Sequence, residues 1–206
     1  MSYTIIIVII TSIISFLAFN NQDIFNKLIF YPFIMSNRSE EYYRFITSGF
    51  IHANLSHLLF NMITLYFFGV EVEAICREVG MPSMYLLLYL SAIVISSIPA
   101  FTKHQTHSYY RSLGASGGVS AILFATVYFE PWNKIYIYFI PIGIPSILFA
   151  VLYLFYSAYM SKKGNDHIGH DAHLWGSVYG FVFAFFLDLK LTHGQAFINQ
   201  LLHPVF

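Results

Sequence analysis

Apolar runs of membrane-spanning length alternate with short polar stretches along almost the whole chain. Tyr3 to Phe19 is apolar, uncharged and rich in isoleucine, long enough to cross a bilayer though on the short side. It has neither the basic start nor the small-residue cleavage site of a signal peptide, so the pattern predicts a retained first helix. Leu55 to Val70 predicts a second, ended by Glu71, Glu73 and Arg77. Pro82 to Phe101 predicts a third, with Pro82 suited to a first turn. Gly114 to Phe129 is the fourth, stopped by Glu130-Pro131. Ile142 to Tyr159 is the fifth; Pro141 and Pro145 flank its start and set Ile135 to Ile140 apart as a short segment. His170 to Leu189 is the sixth, closing on Asp188 and Lys190.

Between the first two runs, Asn20 to Ala53 mixes charges with Leu28-Ile29-Phe30-Tyr31-Pro32-Phe33-Ile34, which is too short to span. A structureless loop of that length is uncommon, so a folded piece lying at the interface is expected. Tyr31, Phe33, Tyr42, Tyr43 and Phe45 suit an aromatic belt there. Leu191 to Phe206 reads as a mildly amphipathic tail, interfacial or frayed. No internal repeat or low-complexity tract is visible, which gives one membrane domain over residues 1–206 with a core at about 42–189.

Composition agrees with a membrane protein. The 206 residues are 57% hydrophobic and only 10% charged, against about 25% charged in an average soluble domain. Mean hydropathy is +0.64. Net charge is zero, so nothing points to nucleic acid. The single cysteine, Cys76, excludes an internal disulfide and reads as packing. Charge also bears on orientation. The loops after helices one, three and five hold Lys27, Arg38, Arg44, Lys103, Arg111, Lys162 and Lys163; the other side holds Arg77, Lys134 and Lys190. Taken literally, the positive-inside rule puts the first set in the cytoplasm.

Polar groups inside the spans carry the candidate chemistry, because each is costly in hydrocarbon. Gly114-Ala115-Ser116-Gly117 opens the fourth run. A helix start leaves N–H groups unpaired and partly positive, so a hydroxyl there can attack a carbonyl while those N–H groups hold the oxyanion. His57 and Asn61 lie four apart on one face of the second helix, with His52 just before it. On the sixth, His173, Gly176 and Gly180 form one stripe, and a small-residue stripe admits another helix closely. Gly114, Ser116 and Ser120 offer a surface to meet it. Packed so, His173 reaches Ser116 and can take and return its proton, with His57 and Asn61 beside the oxyanion. Asp171 falls opposite His173 on its helix and Asp166 lies in a loop, so a Ser–His dyad is expected. Taken singly, each of these residues also suits interhelical packing. His167, His170 and His173, near Asp166 and Asp171, raise a metal reading, but no His-Glu-x-x-His is present, and no metal or cofactor is expected.

At these positions the chain resembles the rhomboid intramembrane serine proteases. Gly114-Ala115-Ser116-Gly117 matches the family's Gly-x-Ser-Gly. Ala172-His173, followed by Gly176 and Gly180, matches its sixth-helix pattern. His52, His57 and Asn61 match its His-x-x-x-x-His-x-x-x-Asn, and Phe68-Gly69-Val70-Glu71-Val72-Glu73 resembles the end of its second helix. The resemblance runs from about Tyr42 to Leu189 and looks like the compact bacterial form. It implies an all-α, polytopic bundle of six transmembrane helices in a bacterial cell membrane. It further implies Ser116 as nucleophile, His173 as general base, and Asn61, His57 and the Ser116 N–H as the oxyanion site. Its substrate would be the transmembrane segment of another membrane protein, entering from the lipid past the fifth helix. The first loop would be a membrane-embedded hairpin, and the active site would face away from the cytoplasm, against the lysine–arginine count. Departures are Tyr43-Arg44 for a Trp-Arg pair, Ala121 for a glycine, and Ser120 where an aromatic often stacks on the histidine; Trp175 or Tyr179 would then hold the His173 ring. The alternatives are a silent rhomboid-like binder of membrane proteins and a histidine-rich metal transporter.

Overall fold

The computed structural model describes residues 2–136, 142–163 and 169–203. They form a helical bundle. α1 (Tyr3–Asn20) is followed by short helices in the first loop: α2 (Gln22–Leu28), α3 (Pro32–Asn37) and α4 (Arg44–Thr47), with 3-10 turns at Ser39–Tyr43 and Ser48–Phe50. Then come α5 (Leu55–Glu78), α6 (Ser83–His104), α7 (Ser116–Phe129), α8 (Ser146–Lys163), α9 (His170–Leu191) and α10 (Ala196–Leu202). All six apolar runs are therefore helical. Four of these helices, α1, α5, α6 and α9, are long and apolar enough to cross a membrane, and α7 is a shorter apolar helix.

Several boundaries differ from the sequence pattern, each for a physical reason. α5 continues past Val70 to Glu78 because Glu73 is satisfied within the bundle. The Glu73 carboxylate accepts from the N–H groups of Tyr3 and Thr4 and the hydroxyls of Ser2 and Thr4, which ties the start of α1 to α5. Arg77 pairs with the same carboxylate at 2.5 Å. α7 starts at Ser116, not Gly114: Gly114 has φ +112° and cannot be helical. α8 begins at Ser146, not Ile142, because Gly143–Pro145 (β2) pairs antiparallel with Lys134–Tyr136 (β1); the rest of the Ile135–Ile140 segment lies outside the described residues. Through α10 the described part of the tail is tied down rather than frayed. The buried Asp188 carboxylate accepts from Tyr128, Thr192 and the Ala196 N–H, and Phe197 stacks on Tyr128 at 5.5 Å.

α7 is the axis of the bundle. Every residue from Gly117 to Phe129 is buried, with α5, α6, α8 and α9 packed around it. A helix apolar all round belongs in the centre of a membrane bundle. α9 lies closest. A Cβ built on Gly180 would stand 2.5 Å from Ala121 Cα, and one on Gly176 would stand 3.1 Å from Gly117 Cα. The glycine stripe thus meets the backbone of Gly117 and Ala121, one residue on from the Gly114–Ser116–Ser120 surface expected. That register turns the Ser116–Ser120 face away from the direct backbone contact, toward the space between α5, α8 and α9.

The first loop is a folded unit locked by Arg44. This buried side chain donates to Glu41 and to the carbonyls of Asn26 and Ile29. The hydrogen bond from Arg44 holds the Glu41 carboxyl below its ordinary pKa. Phe30 and Ser112 exchange both backbone hydrogen bonds, at 3.0 and 3.1 Å, so the loop is pinned to the segment entering α7.

Candidate active site

Ser116 occupies the first helical position of α7, half-buried, after a residue pair that fixes its entry. The Gly114 N–H donates to Ser48 O at 2.9 Å, and the Ala115 N–H donates to His52 Nε2 at 3.3 Å. No side chain caps the helix, so its first-turn N–H groups have no side-chain acceptor and can hold an anion.

His52 is fully buried and acts as the brace behind this turn. Because its Nε2 accepts, its Nδ1 carries the proton and donates to Ser15 Oγ at 2.9 Å; Ser15 in turn donates to Phe50 O. Burial pushes the imidazole down to about 3, so it stays neutral and its acceptor is kept. His57 sits edge-on to the His52 ring at 4.9 Å. Asn54 caps α5 by accepting from the His57 N–H at 2.8 Å, and Asn61 Nδ2 donates back to His57 O at 2.9 Å. The His57 ring fills the space beside Gly114: a Cβ there would be 2.8 Å from Cε1 and 3.0 Å from Nε2. Gly114 is needed twice, for its positive φ and for this approach.

Ser116, His173, His57 and Asn61 line one cavity of about 710 Å³. Its remaining wall is largely apolar, with Phe60, Val119, Leu123 and Phe149, and its polar groups gather at the start of α7. That is the make-up of a site that holds an apolar chain and acts on one polar bond. The α7–α9 backbone contact, which begins at Gly117 and Ala172, puts His173 and Ser116 on the wall of the same cavity. Asp171 is engaged elsewhere, with Lys103 at 3.6 Å and with Ser161. His167 and Asp166 lie outside the described residues, among which no three metal-ligating side chains converge.

The His173 ring is not held by Trp175 or Tyr179. Trp175 is exposed, and the Tyr179 hydroxyl bonds Ser91 at 2.7 Å. Two rings neighbour it: His170 of its own helix, edge-on at 5.8 Å, and Tyr153 of α8, stacked at 6.0 Å and 24°, the latter with its hydroxyl 2.9 Å from Ser120 Oγ. Sequence reasoning missed Tyr153. The available signal was the Phe149/Tyr153 pair, four apart on a helix whose other aromatics face outward.

The Rhomboid domain model matches residues 39–189. The chain belongs to the rhomboid family. It is 31% identical over 165 residues to Rhomboid protease GluP of Bacillus subtilis, covering 80% of this chain and 29% of that protein. It is 30% identical over 176 residues to the mitochondrial RHOMBOID-like protein 12 of Arabidopsis thaliana, covering 78% of this chain and 50% of the relative. It is also 30% identical over 139 residues to the human mitochondrial presenilin-associated rhomboid-like protein, at 66% and 35% coverage. This rhomboid chain thus spans about a third to a half of the length of these relatives. Family and apolar helices together make it a multi-pass membrane protein.

Proposed function

We propose that this rhomboid is an intramembrane serine protease working through Ser116 and His173. One observation carries the reading: Ser116, at an uncapped helix start, shares a single apolar cavity with His173, His57 and Asn61. In this mechanism His173 takes the proton as Ser116 Oγ attacks the scissile carbonyl. The resulting oxyanion is held by the Ser116 N–H, Asn61 Nδ2 and the His57 ring. His173 then passes the proton to the leaving amine, and water, deprotonated by His173, hydrolyses the acyl-enzyme. No cofactor enters.

The substrate is the transmembrane segment of another membrane protein. The apolar cavity wall suits such a segment, and the reaction requires its helix to unwind, since a helical peptide bond is shielded by its own hydrogen bonds. The likeness to the Bacillus relative supports a bacterial cell membrane as the location.

The test is cleavage of a transmembrane-segment substrate by purified protein, beside Ser116→Ala and His173→Ala, with and without chelator. Cleavage lost in both variants and indifferent to chelator is expected. Cleavage that survives Ser116→Ala overturns the assignment. A folded wild type that neither cleaves nor reacts with a serine-directed phosphonate would make this chain a silent binder instead.

A further inference from the structure

Tyr153 bridges two things that catalysis needs aligned. Its ring stacks on His173 at 6.0 Å and 24°, within the range favoured for offset aromatic pairs. Its hydroxyl bonds the buried Ser120, one turn along α7 from Ser116. Phe149 (5.7 Å, 27°) and Phe124 (5.9 Å) pack on the same ring. Tyr153 therefore has one fixed place, set by α7, from which it limits where the imidazole of α9 can turn. It reaches that place from α8, whose other side is exposed through Leu148, Leu152, Phe155 and Tyr159.

We propose that Tyr153 is a positioning residue for His173, with Ser120 as its anchor, so that the alignment of the base depends on the seating of α8. The proposal rests on the Ser116–His173 reading above. The division of labour follows from size: Ser120 is too short to stack on the histidine but leaves room for a ring from α8, and its hydroxyl holds that ring. An outward displacement of α8 withdraws the stack from His173 and breaks the Ser120 bond together.

The experiment combines cleavage kinetics over pH with NMR of the histidine ring protons in detergent, using Y153F, Y153L and S120A. The His173 signals are assigned by their loss in His173→Ala. Y153L removes the ring current, so the His173 signals move downfield. It also lowers kcat by about 10- to 100-fold with little change in KM, the range for a displaced supporting group. The acidic limb of its pH–rate profile shifts. Y153F keeps the stack and, like S120A, loses only about fivefold, the worth of one neutral hydrogen bond. Y153M replaces Y153L if the latter does not fold. Unmoved His173 signals in the folded non-aromatic variant overturn the proposal whatever the activity. The NMR readout does not need turnover, so an inactive wild type would count against the protease reading alone and leave the positioning of His173 to be decided by the spectra.

Discussion

Gly180→Ala tests whether the site is set by backbone contact between α7 and α9. The added methyl would stand 2.5 Å from Ala121 Cα, where ordinary contact begins at 3.4 Å. The shortfall at Cα is about 0.9 Å and is larger at the Ala121 carbonyl oxygen, and the obstacle is main chain, which cannot rotate aside as a side chain can. α9 must move from α7 by at least about 0.9 Å. Overpacking of this kind costs about 1–3 kcal/mol, offset by up to about 1 kcal/mol because alanine is the better helix former. A net loss of stability is expected, read as a lower unfolding temperature in detergent. Gly180 lies two turns below His173, so under the proposed mechanism the same shift displaces His173 relative to Ser116. A misplacement near 1 Å costs about 100-fold in rate. Gly69→Ala is the control: its methyl would meet Tyr85 Oη at 2.6 Å and Thr4 Cγ2 at 2.8 Å, both ends of side chains and far from the cavity. It should lose stability and retain kcat. Gly180→Ala with wild-type unfolding temperature and wild-type cleavage would refute the reasoning.

His52→Phe removes the acceptor of the Ala115 N–H and should cost about 1–3 kcal/mol. It should also flatten the acid limb of the stability profile. His52 is neutral when folded, while the unfolded imidazole binds a proton below about 6.5, so wild-type stability falls by up to about 1.4 kcal/mol per pH unit from there toward the folded value of about 3. Parallel profiles of unfolding temperature against pH for the two proteins would contradict this. Glu41→Gln should destabilise the first loop at neutral pH. Because Arg44 depresses the Glu41 carboxyl, its contribution is present above the ordinary glutamate value and is lost as pH falls through the depressed one, so the gap between the proteins should close in acid. Phe197→Ala should cost about 1–3 kcal/mol by uncovering Tyr128 and Phe181. It should leave kcat unchanged, since Tyr128 lies about 18 Å along α7 from Ser116; a lost turnover at full folding would contradict that.

Hydropathy marked the six main helices, and spacing singled out Ser116, His173, His57 and Asn61, which the structure brings to one cavity; both signals are local. What stayed hidden depended on partners distant in sequence. Glu71, Glu73 and Arg77 read as a helix end until the N–H groups of α1 are placed beside Glu73. The tail reads as interfacial or frayed until Asp188 is seen to gather Tyr128, Thr192 and Ala196. The positive-inside count also treated every lysine and arginine as a free loop charge. Arg44 is buried in hydrogen bonds, Lys103 pairs with Asp171, and Arg111 lies over the Tyr31 ring at 3.0 Å. The α7 stripe was misplaced by one residue because glycines and serines alternate there, and periodicity alone does not say which of two adjacent small faces meets the other helix. Tyr153 offers only its spacing to Phe149 as a signal, since a tyrosine in an apolar helix is equally at home in an interfacial belt.

The length of α7 explains why such a site can exist inside a membrane at all. Fourteen residues, Ser116 to Phe129, make a helix of about 21 Å, against a hydrocarbon core of about 30 Å. Were the exposed Glu130 set at one membrane surface and α7 upright, Ser116 would lie about 9 Å short of the other. A helix ending at that depth would strand its N–H groups in hydrocarbon. Here the preceding turn is enclosed by protein instead. Ser48 and His52 accept from Gly114 and Ala115, the Phe30–Ser112 pair holds the first loop over them, and the cavity beside Ser116 supplies the polar surroundings that lipid lacks. The first loop and the short helix are thus one solution. The loop covers a helix start that is too short to reach both surfaces, and it leaves the first-turn N–H groups without a side-chain cap, which is what the proposed reaction uses.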